Sequence, residues 1–140
     1  IQRGINLQKY PVKYRYNKQE MSFYENYLIP VFGKDNIELQ KTINRHVVDF
    51  FIKDKNIVIE YFGDYWHGNP NKYADGYVIP QIKKTCAEIR EKDKKRFEEI
   101  TKDGDIYCVV VWENDVKRKP QETLQKLNEL KNNRTINITL

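Results

Sequence analysis

Two short runs of β-branched and aromatic residues stand out in the hydrophobic pattern of the chain. The first occupies residues 47–52 and the second residues 57–62, and both have the composition of buried β-strands. Residues 53–56 between them are polar and have the length of a hairpin loop. The pattern therefore predicts an antiparallel pair of strands in which Ile52 lies opposite Ile57.

The predicted register brings two acidic residues together. Asp49 on the first strand lies directly opposite Glu60 on the second, on one face of the sheet. Opposed like charges repel each other, and burial adds to the cost of the charged forms unless a cation compensates them. We therefore expect a hard divalent cation between Asp49 and Glu60.

Further helices and strands are predicted on both sides of this hairpin. Helical spacing of apolar residues predicts helices over residues 19–29, over residues 85–102 and after Pro120. Pro30 is expected to end the first of them. A short strand is predicted at residues 37–40, and the nearly continuous apolar run at 106–112 predicts a strand at the centre of the sheet. The order of elements favours an α/β fold with a mixed β-sheet flanked by helices.

Length and composition fit one globular domain. The chain has 140 residues, of which 39% are hydrophobic and 32% charged, and we expect a single domain over residues 19–140. Residues 1–18 mix basic side chains with tyrosines without a clear period, which is typical of a linker or of an arm that contacts phosphates. The net charge of +5 suits a polyanionic partner without specifying one. No apolar run is long enough to span a membrane.

The cysteines and the first residue also limit the interpretation. Cys86 and Cys108 have no partners at metal-binding spacing and form no disulfide framework, which fits a reducing compartment. The chain begins at Ile1 rather than at methionine and shows no signal-peptide pattern. We therefore expect a fragment of a longer intracellular protein.

A histidine follows the second predicted strand. His67 lies in the polar and aromatic segment 63–68, and loops after strands commonly carry chemistry. A lone histidine is more often structural, but the acids upstream favour a catalytic one. Asp93 falls on the apolar stripe of its helix, four residues from both Ile89 and Phe97. An inward carboxylate requires a partner, and His67 is the candidate.

A further acid lies in the first predicted helix. Glu25 is four residues after Met21 and borders the inward face of the helix. Two explanations of Glu25 are almost equally good: a role in the site and a capping box with Ser22. Asn17 with Glu20 offers a rival capping box one turn earlier. The residues alone leave these alternatives open.

Four segments, in this order, resemble the very-short-patch repair endonucleases and the related EDxHD homing endonucleases of the restriction-endonuclease-like superfamily. They are VVDFF (47–51), IVIEYFGDYWHG (57–68), IREKDKKRF (89–97) and IYCVVVWE (106–113). Each segment alone is weak, whereas four in order are specific. The resemblance implies a restriction-endonuclease-like fold and a Mg²⁺-dependent endonuclease acting on double-stranded DNA.

The resemblance also implies roles for individual residues. The catalytic set would be Glu25, Asp49, His67 and Asp93. Asp49 would bind Mg²⁺, for which Mn²⁺ substitutes, with the backbone carbonyl of Tyr61 and with Glu60. The lysine that usually follows the second acid is replaced by Phe62, so His67 would activate the water and Asp93 would orient it. Glu25 would hold a second ion or position water.

Contacts with DNA are expected around the Trp-His turn. Adjacent aromatics at a turn cannot readily face one core, and the resemblance suggests that Tyr65 and Trp66 insert between base steps; a buried Trp66 is the alternative. Lys94 and Lys95 are expected at the DNA, although a solvated charge run also explains them.

One departure narrows the choice within the family. The repair enzymes carry a structural zinc ion held by cysteines and histidines around this turn, whereas this chain offers Asp64, Asn69 and Asn71. We therefore expect no structural zinc and prefer the catalytic domain of an intron-encoded homing endonuclease over a mismatch-repair strand-nicking endonuclease. A catalytically inactive DNA-binding module would leave the acids and His67 without a role, and an RNA nuclease stays an alternative. A homo-oligomer is left open, and the DNA-recognition domain is expected outside this fragment.

Overall fold

The apolar runs of the sequence form the strands of a computed structural model that describes residues 16–133. Within that range six strands form: β1 (Ile37–Ile43), β2 (His46–Ile52), β3 (Ile57–Phe62), β4 (Val78–Ile79), β5 (Lys84–Thr85) and β6 (Tyr107–Trp112). The main sheet has four strands in the order β1, β2, β3, β6. The predicted strand at 37–40 continues beyond Gln40, whose φ of 50° interrupts the extended backbone.

The main sheet is mixed, as predicted. β1 pairs with β2 and β2 with β3 in antiparallel fashion, whereas β3 pairs with β6 in parallel. The predicted register is confirmed, because Ile52 pairs with Ile57. The ladder between β2 and β3 extends only to the pair Phe50 and Ile59. The two strands therefore separate at the positions that follow.

Four helices accompany the strands in the described part of the chain. Helix α1 runs from Lys18–Phe23 through the π-helical turn Tyr24–Leu28 to Ile29–Phe32, and the others are α2 (Cys86–Ile100), α3 (Glu113–Arg118) and α4 (Pro120–Asn132). A 3₁₀ turn at Lys34–Asn36 leads into β1. Thr85 caps α2 with Glu88 in a capping box. Pro120 occupies the first turn of α4, where its missing N–H has no cost.

The prediction that Pro30 ends the first helix is wrong. The backbone N–H of Ile29 bonds to Tyr24 O, five residues back, and the helix continues to Phe32. The wider π turn changes the hydrogen-bond spacing immediately before Pro30, and proline at the start of a new α-helical turn needs no donor. Helix α1 therefore passes the proline and packs along the sheet.

Each face of the sheet carries its own hydrophobic core, because alternate residues of a strand face opposite sides. Ile57 and Ile59 pack in one core with α1 and with Leu127 of α4. Val58 packs in the other core with Ile100 of α2. Burying one such aliphatic side chain contributes about 1.5–3 kcal/mol. The predicted fold class, an α/β domain with a mixed sheet flanked by helices, is confirmed.

The predicted central position of the strand at 106–112 is wrong. β6 is the last strand of the four-stranded order. Val109 and Val111 are buried on the side of α1 and α4, whereas Cys108 and Val110 are half-buried on the side of α2. Helices on both faces make an edge strand as apolar as a central one, so its composition does not reveal its position.

The ends and the long loop also differ from expectation. The arm predicted at 1–18 lies largely outside the described residues, but Tyr16 is buried in the core and Asn17 caps α1, so the domain includes them. Residues 68–80 are rich in glycine, proline and asparagine, which predicts a loop, and they contain turns that lead into the small ribbon of β4 and β5. No helix between residues 16 and 133 is long and apolar enough to cross a membrane.

Candidate active site

Asp49 and Glu60 lie where β2 and β3 separate. The backbone N–H of Asp49 donates to Glu60 Oε2 at 2.9 Å, and the backbone N–H of Tyr61 donates to Asp49 Oδ2 at 3.0 Å. The residues are only 7% and 2% exposed. Side-chain oxygens thus replace the backbone acceptors of the ladder, and each acid bonds to the opposite strand.

The surroundings of Asp49 disfavour its charge. Burial raises the pKa of Asp49 well above its usual range, and the neighbouring Glu60 carboxylate raises it further. The Tyr61 N–H and the Arg96 guanidinium lower this pKa by less. A carboxyl group in this position is stabilised in its charged form by an added cation. Asp49 therefore has the properties of a metal ligand.

A second possible ligand points to the same place. In a strand the N–H and the C=O of one residue face the same edge, so the backbone carbonyl of Tyr61 faces β2 and Asp49. Among residues 16–133 no group of three or more histidine, cysteine, aspartate or glutamate side chains forms a metal-binding cluster. Mg²⁺ uses one or two carboxylates and keeps several waters. Asp49 and the Tyr61 carbonyl therefore fit Mg²⁺.

The cation that contacts Glu60 is an arginine. Arg96 on α2 donates through Nη1 to Glu60 Oε1 and through Nη2 to Val47 O, the latter at 2.9 Å. Sequence reasoning missed Arg96, which follows two lysines and looks like part of a solvated run. Its position three residues after Asp93 was the available signal, because residues three apart share a helix face.

His67 and Asp93 are in direct contact. His67 Nδ1 lies 2.9 Å from Asp93 Oδ2, and the side chains are 33% and 18% exposed. An ionised carboxylate only accepts, so Nδ1 carries the hydrogen and Nε2 keeps its lone pair in the neutral ring. The imidazole stacks on Phe62 with centroids 3.7 Å apart and planes at 6°. Both contacts fix the direction of Nε2.

The Glu60–Arg96 pair and the His67–Asp93 pair bridge the same elements. Glu60 with Arg96 connects β3 to α2, and so does the stack of Phe62 on Phe97, with ring centroids 5.7 Å apart. His67 follows the end of β3 and reaches α2 through Asp93. We call this boundary the β3–α2 seam. A cavity of about 560 Å³ opens beside it, and its lining includes Phe62, His67, Asp93, Lys94 and Trp112.

The expected position of Glu25 is wrong. Glu25 is exposed, and the capping box of α1 forms between Asn17 and Glu20 rather than from Ser22. Glu20 is only 7% exposed. Burial raises the pKa of the Tyr61 hydroxyl, and the carboxylates of Glu113, Asp64 and Glu20 add to it.

Glu20 is therefore the buried acid that α1 places beside Tyr61. The helical spacing of apolar residues does not distinguish Glu20 from Glu25. Only the capping box distinguishes them. The Asn-x-x-Glu signature was the signal that favoured the earlier acid.

A hydrogen-bonded network holds the turn that carries His67. Asp64 Oδ1 accepts from Asn69 Nδ2 at 2.9 Å and from the backbone N–H of Asn114 at 3.2 Å. The N–H of Asp64 donates to Glu113 Oε1 at 3.2 Å, and Asn69 Oδ1 accepts from the N–H of Asn71 at 2.9 Å. This Asp64 network ties the turn after β3 to the start of α3.

Three of the residues expected at DNA lie around the turn, since Lys94 lines the same cavity as His67, whereas Lys95 lies on another exposed side of α2, beside Lys84 and Lys92. Trp66 is 50% exposed, and its ring meets that of Tyr65 at 79° with centroids 5.0 Å apart. Tyr65 is half-buried. Lys94 and Lys95 are exposed on α2. An aromatic and basic surface therefore adjoins His67.

Comparisons with protein families, curated proteins and solved structures find no match to this chain. The interpretation of the site therefore depends on its own geometry. That geometry combines a buried carboxylate suited to a metal ion, an oriented imidazole and an exposed aromatic and basic surface.

Proposed function

We propose that this domain is a Mg²⁺-dependent endonuclease that hydrolyses phosphodiester bonds of double-stranded DNA, with a restriction-endonuclease-like fold. The observation that carries the proposal is the His67–Asp93 pair, which lies on the same seam as Asp49 and Glu60. Hydrolysis of a phosphodiester requires a base for water and a cation for the phosphate charge. The His67–Asp93 pair supports the role of a base, and Asp49 with the Tyr61 carbonyl supports binding of a cation.

His67 is the general base in this proposal. Nε2 takes a proton from water while the water oxygen bonds to phosphorus and the bond to the leaving oxygen breaks. Asp93 keeps the hydrogen on Nδ1 and stabilises the imidazolium that forms. Asp49 and the Tyr61 carbonyl would hold the metal, and Mg²⁺ bound there would supply Lewis-acid stabilisation of the phosphate charge. In this proposal Glu20 takes the role that was expected of Glu25, because Glu20 is the buried acid of α1.

DNA would lie against Trp66, Tyr65 and Lys94 and extend over α2 to Lys95. The exposed Trp66 ring can stack on or between bases, and the lysines can neutralise phosphates. The catalytic domain of a homing endonuclease, inside the host cell, is the role that we prefer. Sequence recognition then requires a further part of a longer protein.

Plasmid cleavage tests the proposal. Supercoiled DNA is incubated with wild type and with His67→Ala, with and without Mg²⁺. We expect Mg²⁺-dependent cleavage by wild type and a loss of about 10²- to 10⁴-fold in His67→Ala, because a general base is removed. Asp93→Asn should cost less, since the base survives. His46→Ala is the matched control, because His46 contacts Glu99 at 2.8 Å in the same way on an exposed surface.

The products and substrates separate the alternatives. Nicked circles favour a strand-nicking enzyme, and linear DNA favours a double-strand endonuclease. Cleavage of RNA in preference to DNA would change the substrate. Binding without cleavage by wild type favours an inactive binding module, and wild-type rates in His67→Ala at saturating Mg²⁺ overturn the assignment of the base.

A further inference from the structure

The Glu60–Arg96 pair has no role in the proposed reaction, although it lies beside the metal ligand. Glu60 is 2% exposed, whereas the Arg96 side chain is 25% exposed. A buried carboxylate next to a second carboxylate requires compensation, and Arg96 reaches from α2 to provide it. The pair therefore sits where the expected second metal contact would be.

The pair also sets the position of Asp49. The β2–β3 ladder stops at Phe50 and Ile59. Beyond it, Glu60 accepts the backbone N–H of Asp49, and Arg96 donates to the backbone carbonyl of Val47 at 2.9 Å. These bonds fasten β2 on both sides of residue 48, and the Asp49 carboxylate in turn accepts the N–H of Tyr61.

The engaged oxygens of Glu60 argue against metal binding by this residue. Oε2 accepts from Asp49 and Oε1 from Arg96. A guanidinium is always charged and repels a divalent ion placed at the same oxygen. A metal ion bound by Asp49 meets less of that repulsion, because the Asp49 carboxylate bonds to the uncharged Tyr61 N–H rather than to the guanidinium.

We propose that Arg96 is a fixed cation that takes the place of a second metal ion, and that Arg96 and Glu60 are positioning residues for Asp49. The domain then binds one divalent ion, at Asp49, and Glu60 is not a ligand. This inference rests on the proposed metal dependence, but it concerns the number of ions and not the reaction.

Titration calorimetry with Mn²⁺, without DNA, tests the inference on the whole chain. Wild type should bind one ion and Asp49→Asn none. Glu60→Gln should still bind one ion, weakened by about 10- to 100-fold, as for a partner outside the ligand shell. Arg96→Met should bind a second ion or bind Mn²⁺ at least about tenfold more tightly, because the Glu60 carboxylate is released and a permanent positive charge is removed.

Arg90→Met is the matched control. Arg90 lies on the same helix and pairs through its guanidinium with Asp75 and with the carbonyls of Gly68 and Tyr73. It should bind one ion with wild-type affinity. Circular dichroism verifies folding of each variant. Should Arg96→Met fail to fold, the double variant Glu60→Gln/Arg96→Met, which leaves no unpaired charge, should fold and bind one ion.

Several results overturn the inference. Loss of Mn²⁺ binding in Glu60→Gln, as in Asp49→Asn, makes Glu60 a ligand. Unchanged stoichiometry and affinity in a folded Arg96→Met, loss of binding in the double variant, or no binding by wild type also contradict it. A wild type that binds one ion but cleaves no DNA overturns the endonuclease and leaves the single-ion site in place.

Discussion

At the residue scale, two glutamates of α1 have opposite surroundings. Glu20 closes the capping box with Asn17 and is buried beside Tyr61, whereas Glu25 lies in the π-helical turn and is exposed. Glu20 acts electrostatically on the side chain of Tyr61, the residue whose backbone carbonyl is the proposed metal ligand, and a carboxylate adds negative charge that favours a nearby cation. An exposed carboxylate on the helix surface has little effect there, because water screens it.

We therefore expect Glu20→Gln to lower Mg²⁺-dependent cleavage by about tenfold or more, the effect of a partner near a metal site. Glu25→Gln should stay close to wild type. Glutamine still accepts the N–H of the N-cap, so thermal unfolding should change little in either variant. Equal cleavage by Glu20→Gln and wild type, or a loss confined to Glu25→Gln, would return the role to Glu25.

Single residues of the site differ in how clearly the sequence alone identifies them. Asp93 was recognisable because a charge on an apolar stripe has a definite direction, and the turn after a strand limits where His67 lies. Arg96 was hidden because a basic residue in a lysine run is usually solvated. Its role depends on the distance between α2 and β3, which periodicity along one helix does not give.

At the scale of elements, the turn between β3 and the following loop depends on side chains. Asp64 and Asn69 are 4% and 2% exposed, and Asp64 accepts from Asn69 and from the N–H of Asn114. Loss of this carboxylate leaves the buried Asn69 amide and the half-buried N–H of Asn114 without their acceptor. Each unsatisfied donor costs about 1–3 kcal/mol.

Asp64→Ala should therefore lower the free energy of unfolding by about 2–4 kcal/mol, measured by urea denaturation. Asp64→Asn keeps an oxygen that can accept from both donors and loses only the contact of Oδ2 with Lys72 Nζ at 3.4 Å, so it should cost less than about 1 kcal/mol. The control is Asp54→Ala, which removes an exposed contact to Asn36 and should change stability by less than about 0.5 kcal/mol. Similar effects of Asp64→Ala and Asp54→Ala would show that the network adds no stability.

Helices and strands were also predictable where the information lies within a short stretch of sequence, and not where it comes from distant parts of the chain. The β2–β3 hairpin was predictable in register because its two runs and its loop are contiguous. The edge position of β6 and the passage of α1 through Pro30 were not, since the first depends on how strands distant in sequence pair and the second on a shift of hydrogen-bond spacing. Local pattern specifies an element more completely than it specifies its neighbours.

At the scale of the whole molecule, the sheet separates two surfaces with different roles. Helices α1 and α4 cover one face with a large apolar core, and α2 covers the other beside the candidate site. The net charge of +5 is a property of the whole chain, but binding of DNA depends on which lysines lie near phosphates. Lys94 and Lys95 are exposed on α2, whereas Lys34 and Lys131 are exposed elsewhere.

Salt dependence of DNA binding distinguishes these lysines. Each phosphate contact releases counterions and adds about 0.9 to the slope of log affinity against log salt concentration. Lys94→Ala/Lys95→Ala should therefore reduce the slope by about 1.8 in anisotropy titrations at several salt concentrations. Lys34→Ala/Lys131→Ala removes the same charge and should leave the slope almost unchanged. Equal slopes for the two double variants would place the DNA away from α2, because net charge alone would then account for the attraction.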